Sequence, residues 1–138
     1  MSVEQKNNNL EKTRILIIDD EEDILYFLKQ RLERLNFIVK GLSKPIDFLT
    51  TVKDFKPDII LLDLIMPKID GLTIGEMLNQ DKDTSQIPII VISALSKFED
   101  VKKAYKKGVV GYFTKPIDFE KLVYEINKNV AFKKKGGI

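Results

Sequence analysis

The residues able to do chemistry fall in four short clusters, each closing an apolar run. Asp19-Asp20 follow Ile15–Ile18 and lead into Glu21, Glu22 and Asp23. Asp63 follows Ile59–Leu62, Ser93 follows Ile89–Ile92, and Thr114-Lys115-Pro116 follows Val109–Phe113. Three carboxylates gathered in one place repel one another, which raises their pKa values unless a cation intervenes. Hard divalent cations take oxygen ligands, and Mg²⁺ is typically held by one or two carboxylates while keeping several waters. A lysine alongside supplies positive charge for a bound anion. A carboxylate is already ionised at neutral pH and attacks without a general base. Together these groups point to phosphoryl transfer onto a carboxylate, with Mg²⁺ (or Mn²⁺) as the cofactor.

Each residue alone has a plainer reading. Acidic residues ahead of a helix cap it or complement its dipole. An Asp ending a strand is commonly a turn residue, as is a Ser, and a lone Lys is usually a solvated surface charge. Pro67 and Asp70-Gly71 are turn chemistry on either account. Only the placement of all four clusters at the ends of similar runs favours chemistry.

That placement needs an architecture. The apolar runs are rich in β-branched residues and lack polar alternation, as expected of parallel strands covered on both faces. Phe37–Lys40 is a shorter candidate strand. Between the runs lie stretches with helical spacing. The first carries Ile24, Leu25, Leu28, Leu32 and Leu35; the last carries Phe119, Leu122, Val123, Ile126 and Val130. A weaker helix follows Ser43, a candidate cap, with Pro45 in its first turn. Two more fit Leu72–Asn79 and Phe98–Lys106, the second stopped by Gly108. Five β-α units in alternation predict an α/β fold, an open parallel sheet with helices on both faces. Sites in such sheets form outside the carboxyl ends of the strands, where these clusters lie.

Composition removes most alternatives. The 138 residues suit one domain. With 43% hydrophobic and 32% charged residues they match a soluble globular protein. The chain has neither Cys nor His, which excludes disulfides, thiolate catalysis, Ser-His-Asp triads and His-ligated metals. A net charge of +2 gives no electrostatic case for nucleic acid. No apolar run is long enough for a membrane span, and the polar N-terminus does not read as a signal peptide, so the expected compartment is the cytoplasm. Residues 1–12 are expected to be a disordered leader, 13–133 the folded domain and 134–138 a flexible tail.

The run Ile15-Leu16-Ile17-Ile18-Asp19-Asp20-Glu21, the run Leu62-Asp63-Leu64-Ile65-Met66-Pro67 leading to Asp70-Gly71, the pair Ser93-Ala94, and Tyr112-Phe113-Thr114-Lys115-Pro116 together resemble the receiver domain of response regulators in two-component signalling. The resemblance extends from about Arg14 to Lys133. It implies a doubly wound, five-stranded, flavodoxin-like sheet of order 2-1-3-4-5 with five helices. Asp63 is then the phosphoacceptor. Asp20 ligates Mg²⁺ directly and Asp19 mainly through water, with the backbone carbonyl of Ile65 completing the protein ligands. Lys115 pairs with Asp63 and later with the phosphoryl oxygens. Ser93 bonds the phosphoryl group, Ala94 leaves room for it, and Tyr112 is the aromatic switch that follows Ser93. The implied partners are a histidine kinase or phosphotransfer protein and a downstream protein. The implied activity is a switch that catalyses only its own phosphorylation and slow dephosphorylation. The family also uses a cis Lys115-Pro116 bond.

Some positions depart from the family pattern. Val109-Val110-Gly111 lacks the acidic residues that DNA-binding members use for dimer salt bridges, so a monomer or weak dimer is expected. A phospho-aspartate phosphatase needs a second Asp two residues past the nucleophile, where Ile65 stands. A flavin or nucleotide binder wants a Gly- or hydroxyl-rich loop after the first strand, where Asp19–Asp23 repel phosphate. A longer regulator with an output domain, for example a DNA-binding one, is the remaining alternative to a stand-alone module. Ile65 and Leu95 are both expected to flank the approach to Asp63 and obstruct hydrolytic water.

Overall fold

The apolar runs form five strands: β1 (Arg14–Ile18), β2 (Ile38–Leu42), β3 (Ile59–Leu62), β4 (Ile89–Ser93) and β5 (Gly111–Thr114). The computed structural model describes residues 12–134. Every strand pairing is parallel, in the order β2-β1-β3-β4-β5. This is the order that the family resemblance implied. β1, β3 and β4 are buried along almost their whole length, as their unbroken apolar character predicts, whereas edge strand β2 is exposed at Ile38, Lys40 and Gly41. The expected leader and tail lie outside the described residues, except for Lys12 and Lys134.

Five α-helices follow the strands: α1 (Glu22–Glu33), α2 (Phe48–Phe55), α3 (Gly71–Gln80), α4 (Phe98–Lys106) and α5 (Phe119–Lys134). Strand side chains alternate between faces, so the sheet divides the core in two. Leu16, Ile18, Ile60, Leu62 and Val91 pack on one face with Phe48 and Val52 of α2, Ile74 and Leu78 of α3, and Ala104 of α4. Ile15, Ile17, Ile59, Leu61, Ile90 and Ile92 pack on the other with Leu28 and Leu32 of α1 and Leu122, Ile126 and Val130 of α5. α4 opens with Glu99 and Asp100 and closes with Lys103 and Lys106, each charge complementing the helix dipole.

Three local expectations are corrected. α1 ends at Glu33, and Leu35 lies past it in the exposed turn through Asn36, whose φ is 69°. Ser43 caps nothing: Pro45–Asp47 form a short 3₁₀ turn led by Lys44, and α2 begins only at Phe48. The fifth strand begins at Gly111 rather than Val109. Gly108, at φ 100°, stops α4 as expected; the Val110 N–H then donates to the Ile89 carbonyl at 2.8 Å, and the register with β4 runs from Gly111 opposite Ile90. The Lys115-Pro116 bond is cis, as the resemblance implied.

Gly71 seats α3 directly against the strand end that carries Asp63. A Cβ there would collide with the Asp63 carbonyl oxygen and the Leu64 Cα, both backbone atoms that no rotamer change moves aside. Asp70 caps the same helix by accepting from the Leu72 N–H at 3.0 Å. Gly71→Ala is therefore expected to destabilise the fold by about 1–3 kcal/mol, as overpacking does. A lower urea midpoint with an unchanged m-value would show it; an unchanged midpoint would contradict the packing described.

Candidate functional site

The carboxyl ends of β1, β3, β4 and β5 meet on one rim. The chain leaves β1 into Asp19, whose N–H donates to the Leu42 carbonyl at 3.2 Å, and leaves β3 into Asp63, whose N–H donates to the Ile18 carbonyl at 2.9 Å. Sheet pairing thus extends one residue past each strand and fixes both carboxylates side by side. Each side chain is only 3% exposed. Asp19 Oδ1 accepts the Glu21 N–H at 2.9 Å, and Asp63 Oδ1 accepts the Ile65 N–H at 3.2 Å. In both turns one oxygen is tied to the backbone and the other, Oδ2, is left to Lys115.

Lys115 reaches the rim because its own N–H donates to the Ser93 carbonyl at 2.9 Å. Its Nζ lies 2.9 Å from Glu21 Oε1, 3.1 Å from Asp19 Oδ2 and 3.5 Å from Asp63 Oδ2. The expected pairing with Asp63 is present, but two other carboxylates are closer. The sequence marks Glu21 only as part of an acidic run; its position directly after Asp19-Asp20 is the available clue. Burial draws the Lys115 pKa down, but hydrogen bonds to Glu21 and Asp19 and the charges of Asp19 and Asp63 outweigh it, and the net shift is upward. Burial pushes the Asp19 carboxyl above its ordinary value against the lowering effects of the Glu21 N–H and Lys115.

Asp19, Asp20 and Asp63 each offer an oxygen within 4.8 Å of the others. An all-oxygen set of three carboxylates, two of them buried, fits a hard divalent cation such as Mg²⁺. The cation would also relieve the repulsion that Lys115 alone offsets only in part. A cavity of about 270 Å³ opens here, lined by Asp20, Glu21, Asp63, Ile65, Ala94 and Lys115. Leu95, expected beside Ile65, does not line it. Its side chain packs half-buried against the core face that holds α3 and α4. Its backbone is engaged instead: the N–H donates to Ser93 Oγ at 3.2 Å, and the carbonyl accepts the Tyr112 hydroxyl at 2.7 Å. Ser93 is fully buried. Burial raises the Tyr112 pKa, with smaller upward contributions from Asp100 and Asp63.

Residues 15–127 match the model of the response regulator receiver domain. The chain belongs to that family. It is similar to the DNA-binding dual master transcriptional regulator RpaA of Synechocystis, at 34% identity over 82% of this chain and 47% of that protein. It is also similar to protein PilH of Pseudomonas aeruginosa, at 33% identity over 86% of this chain and 98% of that protein. The chain thus spans about half of the first relative and nearly all of the second. Among solved structures, the signal receiver domain of a DNA-binding response regulator from Colwellia psychrerythraea superposes with a TM-score of 0.82 at 29% identity, covering 87% of this chain and 99% of that one. Receiver domains are signalling switches that interact with histidine kinases or phosphotransfer proteins. Among the described residues of this receiver, no helix is long and apolar enough to cross a membrane.

Because its folded pKa is raised, Asp19 binds a proton more readily in the folded state than in the unfolded chain. Its ionisation therefore lowers stability as pH rises from the ordinary carboxylate range through the folded pKa. Asp19→Asn mimics the protonated form and keeps an acceptor for the Glu21 N–H. Without divalent cations the variant is expected to be more stable than the parent at pH 7, with the gap closing as pH falls toward 4. Urea midpoints across that range test this; a variant less stable at pH 7 would contradict it.

Proposed function

We propose that this receiver takes a phosphoryl group from a partner histidine kinase or phosphotransfer protein onto Asp63, with Mg²⁺ held by Asp19, Asp20, Asp63 and the Ile65 backbone carbonyl, and signals to a downstream protein by a change of conformation. The observation that carries this reading is the buried Asp63 carboxylate, which has one oxygen tied to the Ile65 N–H and the other facing Lys115 across a cavity open to solvent.

An Asp63 oxygen attacks phosphorus in line while the bond to the donor breaks. Bound in the acidic cluster, Mg²⁺ would neutralise charge on the phosphoryl oxygens. Lys115 moves from its present carboxylate partners onto a phosphoryl oxygen. The Ser93 hydroxyl exchanges its bond from the Leu95 N–H for one to the phosphoryl group. Because the next carbonyl along holds Tyr112, that exchange releases or redirects the tyrosine. The two conformations pre-exist, and the added dianion changes their populations. The switch works in the cytoplasm with its phosphodonor. It turns over no other substrate: Ile65 occupies the position where a phospho-aspartate phosphatase needs its acid-base carboxylate. PilH, matched over nearly its full length, supports a stand-alone module, while RpaA, matched over half, supports the alternative of a receiver within a longer DNA-binding regulator.

Incubated with acetyl phosphate and Mg²⁺, the protein is expected to gain one phosphoryl group by intact mass, and Asp63→Asn none. Equal labelling of both would remove Asp63 from the role. Phosphate loss should be slow, because Ile65 stands 49% exposed at the cavity and has no polar group to orient water. Ile65→Asn should speed decay after donor removal by about tenfold, the usual worth of one orienting contact. Identical decay curves for parent and variant would refute this.

A further inference from the structure

We propose that Glu21 selects the phosphodonor: its carboxylate holds Lys115 at the cavity mouth and repels small free donors that carry two negative charges. The inference rests on Asp63 being the phosphoacceptor.

Glu21 occupies the N-cap position of α1, where a shorter Ser, Thr, Asp or Asn side chain ordinarily accepts a backbone N–H of the first turn. Its side chain makes no such bond. It turns instead to Lys115, 2.9 Å away, while its own N–H is fixed on Asp19 Oδ1. Glu21 is 56% exposed, whereas Lys115 is 14% exposed, so Glu21 is the outermost of the three carboxylates around the ammonium. It lines the cavity that a donor must enter. Lys115 therefore rests nearer to Glu21 and Asp19 than to Asp63, and an arriving phosphoryl group must draw it away.

A small donor brings only its phosphate to this exchange. Acetyl phosphate, a dianion at neutral pH, must pass Glu21 and Asp20 with no surface contact of its own to hold it there. In the transfer an Asp63 oxygen forms the new O–P bond, the bond from phosphorus to the bridging oxygen breaks, and its electron pair leaves on acetate; no proton moves. A protein donor instead holds its phosphoryl group at the mouth by surface contacts made elsewhere, so one charge at the rim weighs less. Phosphoramidate, with a single net negative charge, lies between the two.

The test is the initial rate of labelling of the full chain by intact mass, with Mg²⁺, for acetyl phosphate and for phosphoramidate. Glu21→Gln is expected to raise the acetyl phosphate rate about threefold to tenfold at low ionic strength, through a lower KM with little change in maximal rate. The gain should be smaller with phosphoramidate. It should also shrink as salt shortens the Debye length from about 30 Å at 0.01 M to about 8 Å at 0.15 M. Glu21→Asp, which keeps the charge, should stay near the parent rate. A Glu21→Gln variant that labels at the parent rate with both donors, or shows the same gain with both at every salt concentration, would overturn the proposal while leaving Asp63 as acceptor. If Asp63→Asn labels as well as the parent, the acceptor assignment and this inference fall together.

Discussion

Two carboxylates, Asp19 and Asp63, are held almost out of solvent side by side, and the rest of the rim is organised around that constraint. Burying a charge is costly unless it is paired and hydrogen-bonded. Here one oxygen of each is satisfied by a backbone N–H two residues on, and the other oxygens share a single ammonium. One cation against two buried anions, with Glu21 and Asp20 beside them, leaves negative charge uncompensated. The upward shift of Asp19 comes first from its burial, with the charge of Asp63 adding to it. A site left short of positive charge is a site ready for a divalent cation.

The neighbouring strands make this arrangement unavoidable. Parallel pairing of β1 with β3 brings Ile18 level with Leu62, so the next residue of each must be adjacent. Pairing of β4 with β5 does the same for Ser93 and Thr114, and Lys115 follows. The same rim reaches outward through the backbone of Leu95. The Leu95 N–H donates to Ser93 Oγ, and the Leu95 carbonyl accepts the Tyr112 hydroxyl, so Ser93 and β5 are linked without the side chain of Leu95 taking part.

Much of this was legible in the sequence. Uninterrupted apolar runs mark β1, β3 and β4 because buried parallel strands demand them, and the polar residue closing each run marks the rim. Strand order was not in those runs; it came from the family resemblance, since alternation of elements fixes parallelism but not neighbours. The misreadings were local and have local causes. Ser43 looked like a cap, but Pro45 opens a 3₁₀ turn first. Val109-Val110 looked like strand, but the left-handed turn at Gly108 delays pairing. Leu95, two residues past Ser93, has the spacing of a cavity residue, but hydrophobic burial draws it inward. The role of Glu21 depends on which way one side chain turns at a helix cap, which no spacing rule contains.

The division of the core by the sheet has a consequence for how such a chain diversifies. The side chains facing α1 and α5 share no packing layer with those facing α2, α3 and α4. Substitutions that reshape the first pair of helices must be accommodated within their own layer, and the second layer is shielded from them by a wall of hydrogen-bonded backbone. The fold thereby offers two surfaces whose supporting layers can be repacked one at a time. A lineage can acquire a new correspondent on one side and keep the old one on the other.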